Sequence, residues 1–162
     1  MDIFIRQLEI VIPSSYAEWE IYHNISKEEI FFHIPEINYD KNHSCFTSKN
    51  HHHFIAKLHN EYAGILQLEN LGSAELALRI IAVKEEFQRK GIGKILLSFT
   101  KKFCIMHSLR TIRTHANLRA VEFYKKNGFK EEFWADCSIN EGTLDMMFNL
   151  NCSNMNLNYN LF

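Results

Sequence analysis

The stretch from Ile80 to Lys94, Ile-Ile-Ala-Val-Lys-Glu-Glu-Phe-Gln-Arg-Lys-Gly-Ile-Gly-Lys, constrains this chain more than any other. An apolar run ends at Val83, a polar turn follows, and Gln88, Gly91 and Gly93 spell Q-x-x-G-x-G. Behind the glycines the spacing predicts a helix. Ile92, Ile95, Leu96, Phe99, Phe103 and Met106 fall on one stripe, with Lys94, Ser98, Lys101 and Lys102 expected to face out. A strand that turns into a helix at glycines makes an anion site. The first N–H groups of a helix lack internal partners, and the helix dipole favours negative charge there. Glycine lets a phosphate come close to the backbone, and Arg89, Lys90 and Lys94 add positive charge. Other glycine loops fit less well. A dinucleotide-binding turn has the order G-x-G-x-x-G near the first strand of a domain, whereas this stretch lies mid-chain. A Walker loop needs Ser or Thr after Gly-Lys, and Gly93-Lys94 is followed by Ile95. A helix start that binds nothing is the plain structural alternative.

The rest of the chain supplies a scaffold for this turn. Residues 2–10, with Ile3, Ile5 and Leu8–Ile10, read as an opening strand. Pro13-Ser14-Ser15 announces a helix capped by Ser14 or Ser15, with Glu18 in its first turn. A second short helix is expected after Ser26, burying Ile30-Phe31-Phe32, and residues 34–50 read as loop. Residues 53–58, 62–69 and 74–83 form a strand meander, with turns at Asn60-Glu61 and Leu71-Gly72-Ser73. The run His51-His52-His53 cannot converge on one metal ion, because strand neighbours point to opposite faces; it reads as a solvated strand start. Beyond the central helix come a strand at 109–115, a helix opened by Asn117 and stopped at Asn127-Gly128, and strands at 129–139 and 143–150 that turn at Asn140-Glu141-Gly142. The order β-α-α-β-β-β-α-β-α-β-β predicts a mixed α/β sheet flanked by helices, one domain over residues 1–152. The tail 153–162 is Asn-rich and alternates polar with apolar residues, its phase shifted from that of Leu144, Met146, Phe148 and Leu150. It reads as an extra edge strand that pairs within the chain or with a second subunit as a homodimer, or else as a disordered end.

Composition narrows the function classes. The 13 Phe residues and 46% apolar content are ample for a core. A net charge of -1 argues against a general electrostatic grip on nucleic acid. No run of apolar residues is long enough to cross a membrane, and Met1–Arg6 lacks the layout of a signal peptide. Cys45, Cys104, Cys137 and Cys152 form no C-x-x-C, so reduced thiols in a cytoplasmic protein are expected and no metal site is.

The stretch 80–94 resembles motif A of the GCN5-related N-acetyltransferases (GNAT), an apolar strand ending in Val followed by Q/R-x-x-G-x-G/A. A second match follows at the right place. Asn117 to Phe129, Asn-x6-Tyr-x3-Gly-Phe, is similar to motif B of that family. The resemblance implies acetyl-coenzyme A as cosubstrate. It implies that Gln88, Arg89, Lys90, Gly91, Ile92, Gly93 and Lys94 hold the pyrophosphate. The backbone of Ile81, Ala82 and Val83 would face the pantetheine arm and thioester, on a strand that splays from the next one in this family. Asn117 would contact the coenzyme, and Tyr124 would donate a proton to the leaving thiolate. The implied reaction is direct acetyl transfer to an amine of a small molecule or peptide, with a backbone amide stabilising the oxyanion. Without that resemblance, Tyr124 is an ordinary core aromatic.

The resemblance leaves the acceptor and the general base open. The ribosomal-protein branch of the family carries a Glu five residues before the motif B Asn; Ile112 stands there instead. Glu75, His115 or a water is the alternative base. Tyr22, Phe31, Phe32 and Tyr39 with Glu28, Glu29 or Glu36 form either an acceptor pocket or simply core and solvated surface. A non-catalytic acyl-coenzyme A sensor of the same fold is the second functional class, although it could dispense with Tyr124. A toxin acting on aminoacyl-tRNA would want a more basic surface than this chain has.

Overall fold

In the computed structural model, which describes residues 7–34, 37–136 and 142–150, strands form at Leu8–Val11 (β1), His51–Leu58 (β2), Glu61–Gly72 (β3), Glu75–Val83 (β4), Thr111–Asn117 (β5), Lys130–Glu131 (β6) and Thr143–Asn149 (β7). Helices form at Tyr16–Glu29 (α1), Ile92–Met106 (α2) and Val121–Lys126 (α3). The strands make one mixed sheet in the order β1-β2-β3-β4-β5-β7-β6, with β4 and β5 parallel. The predicted α/β architecture is thus the observed one. The chain divides into two compact units, one built from residues up to Glu69 with Leu78–Thr100, the other from Asn70–Ala77 and from Lys101 onwards.

In the first unit, Ser15 caps α1 as predicted, its Oγ accepting from the Glu18 amide at 3.2 Å. The Glu18 carboxylate reaches back to the Ser14 amide at 2.9 Å. The second helix expected after Ser26 does not form. Ser26 Oγ donates to the Tyr22 carbonyl one turn back (3.0 Å), so it lies inside α1 rather than capping a new helix. A 3-10 turn at Phe31–His33 stands in its place and leaves Phe32 79% exposed. α1 packs Tyr22 and Ile25 onto Ile55, Ile65 and Ala82 of the sheet. The β2–β3 turn has positive φ at both His59 and Asn60, the geometry of a two-residue hairpin.

The histidine run is not a solvated strand start. His53 is buried, with Nε2 donating to the Cys45 carbonyl and Nδ1 accepting from the Tyr22 hydroxyl, both at 3.1 Å. The loop before β2 folds over that strand and takes His53 with it. Burial pushes the imidazole down to about 4.

The second unit is organised on β5. Glu75–Ala77 pair with Thr111–Arg113, and β7 pairs along Thr111–Asn117. Ile112, Ala116, Val121, Tyr124, Phe129 and Met146 are buried there. Of the strand expected over 129–139, the described residues form only Lys130–Glu131, β6, and 137–139 lie outside them. The Glu132 amide still bonds the Asp145 carbonyl at 3.1 Å, but the Trp134 amide goes to the side-chain Oδ2 of Asp145 at 2.9 Å and leaves the ladder.

The buried stripe of α2 also differs from the predicted one. Ile92, Leu96, Leu97, Thr100 and Cys104 are buried, whereas Met106 is 81% exposed. Thr100 tolerates burial because its hydroxyl donates to the Leu96 carbonyl at 2.9 Å. Lys101, expected outside, is drawn inward. Its Nζ donates to the Asn127 carbonyl at 2.7 Å and sits 3.9 Å from the Phe148 ring centre.

Cys45 and Cys104 are free thiols. No helix among the described residues is long and apolar enough to cross a membrane. Ile3, Ile5, Glu36, Cys137, Cys152 and the proposed edge strand at 153–162, with the homodimer built on it, lie outside the described residues.

Candidate active site

The predicted cradle begins where β4 ends. Its last residues, Ile81, Ala82 and Val83, pack closely against β3. A Cβ added to Gly64 would meet the Ala82 carbonyl oxygen at 2.5 Å, so a side chain at that position is excluded. The Lys84 amide donates to the Ala63 carbonyl at 2.9 Å. A 3-10 turn at Glu85–Phe87 then reverses the chain. Gln88 ties the loop back to the strand, its Nε2 donating to the Val83 carbonyl at 2.9 Å. The Lys90 ammonium is engaged in a similar way with the Glu86 carbonyl, at 2.8 Å. Both side chains thus hold the loop's shape.

The turn itself is left-handed at two points, Arg89 (φ 59°) and Gly91 (φ 84°). Glycine takes the second at no steric cost; Arg89 pays for it. The first helical bond of α2 runs from the Ile95 amide to the Gly91 carbonyl (3.1 Å). The amides of Gly91, Ile92, Gly93 and Lys94 therefore precede the intrahelical ladder. No acidic residue lies in the first turn of α2 to compete for an anion. Arg89 and Lys94 are exposed beside those amides, and Ile92 is buried beneath them.

The second unit holds the motif B residues. Asn117 ends β5 and opens a 3-10 turn at Leu118–Ala120, its Oδ1 accepting from the Arg119 amide at 2.9 Å. That turn leads into α3, which stops at Asn127 before Gly128 (φ 89°), as the Asn-Gly pair predicted. Tyr124 is buried between Phe123 and Phe129, and its hydroxyl hydrogen-bonds Thr114 of β5. Burial pushes this phenol up to about 12, against a smaller opposing effect of the Thr114 bond. It therefore stays protonated throughout the neutral range.

The two side-chain candidates for a base differ in their surroundings. Glu75 is held by an arginine, with Arg113 Nε and one terminal nitrogen both 3.0 Å from its Oε1. His115, on the opposite face of β5 from Thr114, has Nδ1 2.7 Å from Asp145 Oδ1 and Nε2 3.4 Å from Asp136 Oδ2. Trp134 stacks on its ring, with centroids 4.5 Å apart. Thr114, Trp134, Asp136 and Asp145 did not emerge from the sequence. Asp145 could have been found by pairing the 109–115 and 143–150 strands in antiparallel register; nothing local marks Asp136.

Of the two readings open for the aromatic residues, core and solvated surface is the one the described residues take. Tyr22 is fully buried core, Tyr39 packs on Phe31 and hydrogen-bonds His23, and Phe32 points to solvent. Of the acidic residues, Glu29 accepts from the Glu85 amide at 3.3 Å. Glu28 lines an open cavity of about 400 Å³ with Asn24, Tyr62 and Lys84.

Strand end, left-handed basic turn and acid-free helix start together define a mixed α/β protein that carries the donors of an anion site. A model of the acetyltransferase (GNAT) domain matches residues 49–131. The chain belongs to the GNAT acetyltransferase family. Solved structures show the same fold. An acetyltransferase of the GNAT family from Staphylococcus aureus Mu50 is 20% identical, with a TM-score of 0.72 over 89% of this chain and 99% of its own. The PaiA N-acetyltransferase from Thermoplasma acidophilum, solved in complex with coenzyme A, is 18% identical, with a TM-score of 0.69 over 88% and 99%. The ribosomal-protein-S18-alanine N-acetyltransferase from Escherichia coli is 16% identical, with a TM-score of 0.68 over 88% and 93%. No curated protein matches the sequence.

Proposed function

We propose that this protein is a cytoplasmic N-acetyltransferase that moves an acetyl group directly from acetyl-coenzyme A to an amine of a small molecule or peptide, using a domain of residues 1–152. The observation that carries this reading is the turn at Arg89–Gly91, two left-handed residues ahead of an acid-free helix start. Such a turn presents successive backbone N–H groups to an anion. The amides of Gly91 to Lys94 would take the pyrophosphate, with Arg89 and Lys94 adding charge. Gln88 and Lys90, each bonded to a carbonyl of the preceding segment, would keep that backbone in shape. The backbone of Ile81, Ala82 and Val83 would run beside the pantetheine arm and offer an amide to the oxyanion. Asn117 would contact the coenzyme, and Tyr124, protonated at every relevant pH, would face the departing sulfur. The PaiA relative, solved with coenzyme A, supports the cosubstrate. Ile112, in place of the glutamate of the ribosomal-protein branch, favours a different acceptor from that of the Escherichia coli relative.

The test is thiol release from acetyl-coenzyme A across a panel of amines, amino acids, polyamines and peptides, with thermal shift run in parallel. Turnover with at least one amine is expected, together with a raised melting temperature, because a ligand bound only to the folded state stabilises it. Thermal protection without turnover on any acceptor would point to the sensor instead.

A further inference from the structure

We propose that Gln88 is a positioning residue for acyl transfer: its side-chain amide caps the Val83 carbonyl and so holds the Val83 N–H as the donor to the oxyanion. The proposal rests on the acetyltransferase reading and assigns Gln88 to the reacting carbonyl rather than to the phosphates of the coenzyme.

β3 sets the direction of the peptides at the end of β4. Its register to β2 pairs Ala56 with Gly64 and Lys57 with Tyr62, which leaves Ala63 as an extra residue, a bulge. β4 ends across that bulge. The Lys84 amide donates to the Ala63 carbonyl at 2.9 Å. The Ala82 carbonyl oxygen lies 2.5 Å from where a Cβ on Gly64 would stand. These peptides are trans, and in a trans peptide the N–H and C=O point in opposite directions. With the Ala82 oxygen against Gly64, the N–H of Val83 therefore points away from β3. The next peptide, whose N–H is the Lys84 donor, turns the Val83 carbonyl away from β3 as well. Val83 thus presents its N–H and its C=O to the same side.

A bare carbonyl next to the donor would work against acyl transfer, because an oxyanion at the N–H would also meet the negative end of the carbonyl dipole. Gln88 removes that conflict. Its Nε2 donates to the Val83 oxygen at 2.9 Å, which occupies the acceptor. The Val83–Lys84 peptide is then bonded at both ends, by Gln88 on one side and Ala63 on the other. The turn before Gln88 puts it there. Phe87 is buried and its amide donates to the Lys84 carbonyl at 2.8 Å, so the chain doubles back towards Val83. The backbone amide of Gln88 is itself committed to the Glu85 carbonyl at 3.1 Å. Its main-chain donor and one side-chain N–H both go to the protein, whereas the amides of Gly91 to Lys94 precede the α2 ladder and suit an anion.

In the reaction the amine lone pair forms the C–N bond as the carbonyl π pair moves onto oxygen, where the Val83 N–H holds it. That pair returns as the C–S bond breaks. Sulfur leaves with the bonding electrons and takes up a proton, and nitrogen releases one. Gln88 exchanges no proton; it acts through the Val83 peptide.

Gln88→Met keeps the length of the side chain and removes its N–H groups, and Gln88 is exposed, so the change leaves the core alone. Two acetyl donors separate the roles: acetyl-coenzyme A, and S-acetylpantetheine, which lacks the pyrophosphate. On an amine that the native protein acetylates, Gln88→Met should lower kcat/KM by the same factor with both, about 10- to 100-fold, less than the roughly 10²–10³ for losing an oxyanion donor outright. The Kd for coenzyme A, measured by calorimetry, should stay within about twofold, because the lost interaction belongs to the transition state. Gln88→Glu places a carboxylate against the carbonyl and should be slower still with S-acetylpantetheine. An effect confined to acetyl-coenzyme A, with a raised Kd, makes Gln88 a phosphate ligand and overturns the proposal; so does an unchanged kcat/KM with both donors. The cap is also read without coenzyme. The ¹³C resonance of the Val83 carbonyl should move upfield in Gln88→Met, and an unmoved resonance overturns the proposal. If it moves and the native protein acetylates no amine, the acetyltransferase reading falls and takes the catalytic role of Gln88 with it, while the cap on Val83 stands.

Discussion

Replacing Tyr124 with Phe removes one oxygen and should reveal how the leaving group is handled. Burial holds the phenol at about 12, whereas a cysteine-like thiol titrates near ~8.5. Complete proton transfer to the thiolate is then uphill by roughly 3.5 units, or about 5 kcal/mol. Tyr124 is thus better suited to donate a hydrogen bond to the developing thiolate than to surrender its proton early. A hydrogen bond to a charged group contributes about 1.5–3 kcal/mol, which converts to a fall in turnover of roughly 10- to 150-fold. The ring packs on Phe123 and Phe129 and should stay in place. The lost bond to Thr114 costs about 1 kcal/mol, or about 2–4 °C in melting temperature for a chain of this size. Steady-state kinetics on a proven acceptor, with acetyl-coenzyme A affinity measured separately, checks both figures. Unchanged turnover between about pH 6 and 9 would refute the reasoning and leave Tyr124 as a packing residue.

Gly91→Glu should abolish thermal protection by acetyl-coenzyme A, because it places a carboxylate where the phosphates are proposed to bind and strains a left-handed position by about 1–2 kcal/mol. Gly91→Ala carries the strain alone, so a folded Gly91→Glu protein that is still protected would remove the cradle. Gly64→Ala should destabilise by about 1–3 kcal/mol, since its Cβ would meet the Ala82 carbonyl oxygen and the β4 end must shift; a denaturation midpoint equal to that of the native protein would contradict this. Acid should weaken the fold through His53. The unfolded imidazole takes a proton near 6.5 and the folded one only near 4. Stability is therefore full above 6.5 and is lost as the pH falls to about 4, by about 3 kcal/mol for roughly 2.5 units. Urea midpoints against pH should show that loss, and His53→Gln should flatten it.

The parts of the fold governed by local chemistry were legible in the sequence. Ser15 with Glu18, the glycines before α2, Asn117 at its turn and Gly128 after α3 each act within a few residues of themselves. The misreadings arose where a distant or competing partner decides. Ser26 has the chemistry of a cap, yet the Tyr22 carbonyl one turn back claims its hydroxyl. His53 is polar, but the loop around Cys45 and the tyrosine of α1 give both its ring nitrogens partners, so it is buried. The strand after Phe129 has adequate β-propensity, but the side chain of Asp145 across the sheet takes the Trp134 amide. The candidate site divides along the same line. Its backbone part follows from motif A. The surroundings of His115 depend on a cross-strand register and on an unmarked aspartate, and only the fold brings these together.

Lys101 joins three segments that are far apart along the chain: the second half of α2, the residue that closes α3, and the aromatic face of β7. One amine thereby serves as a common anchor for the end of α3 and the strand beneath it. Separating any one of these segments leaves a half-buried charge without its carbonyl or its ring, which penalises partial opening of that region more than its small size suggests. In hydrogen exchange the amides of Asn127, Gly128 and Phe148 should consequently lose protection together, as a single cooperative unit, instead of fraying from the short helix first.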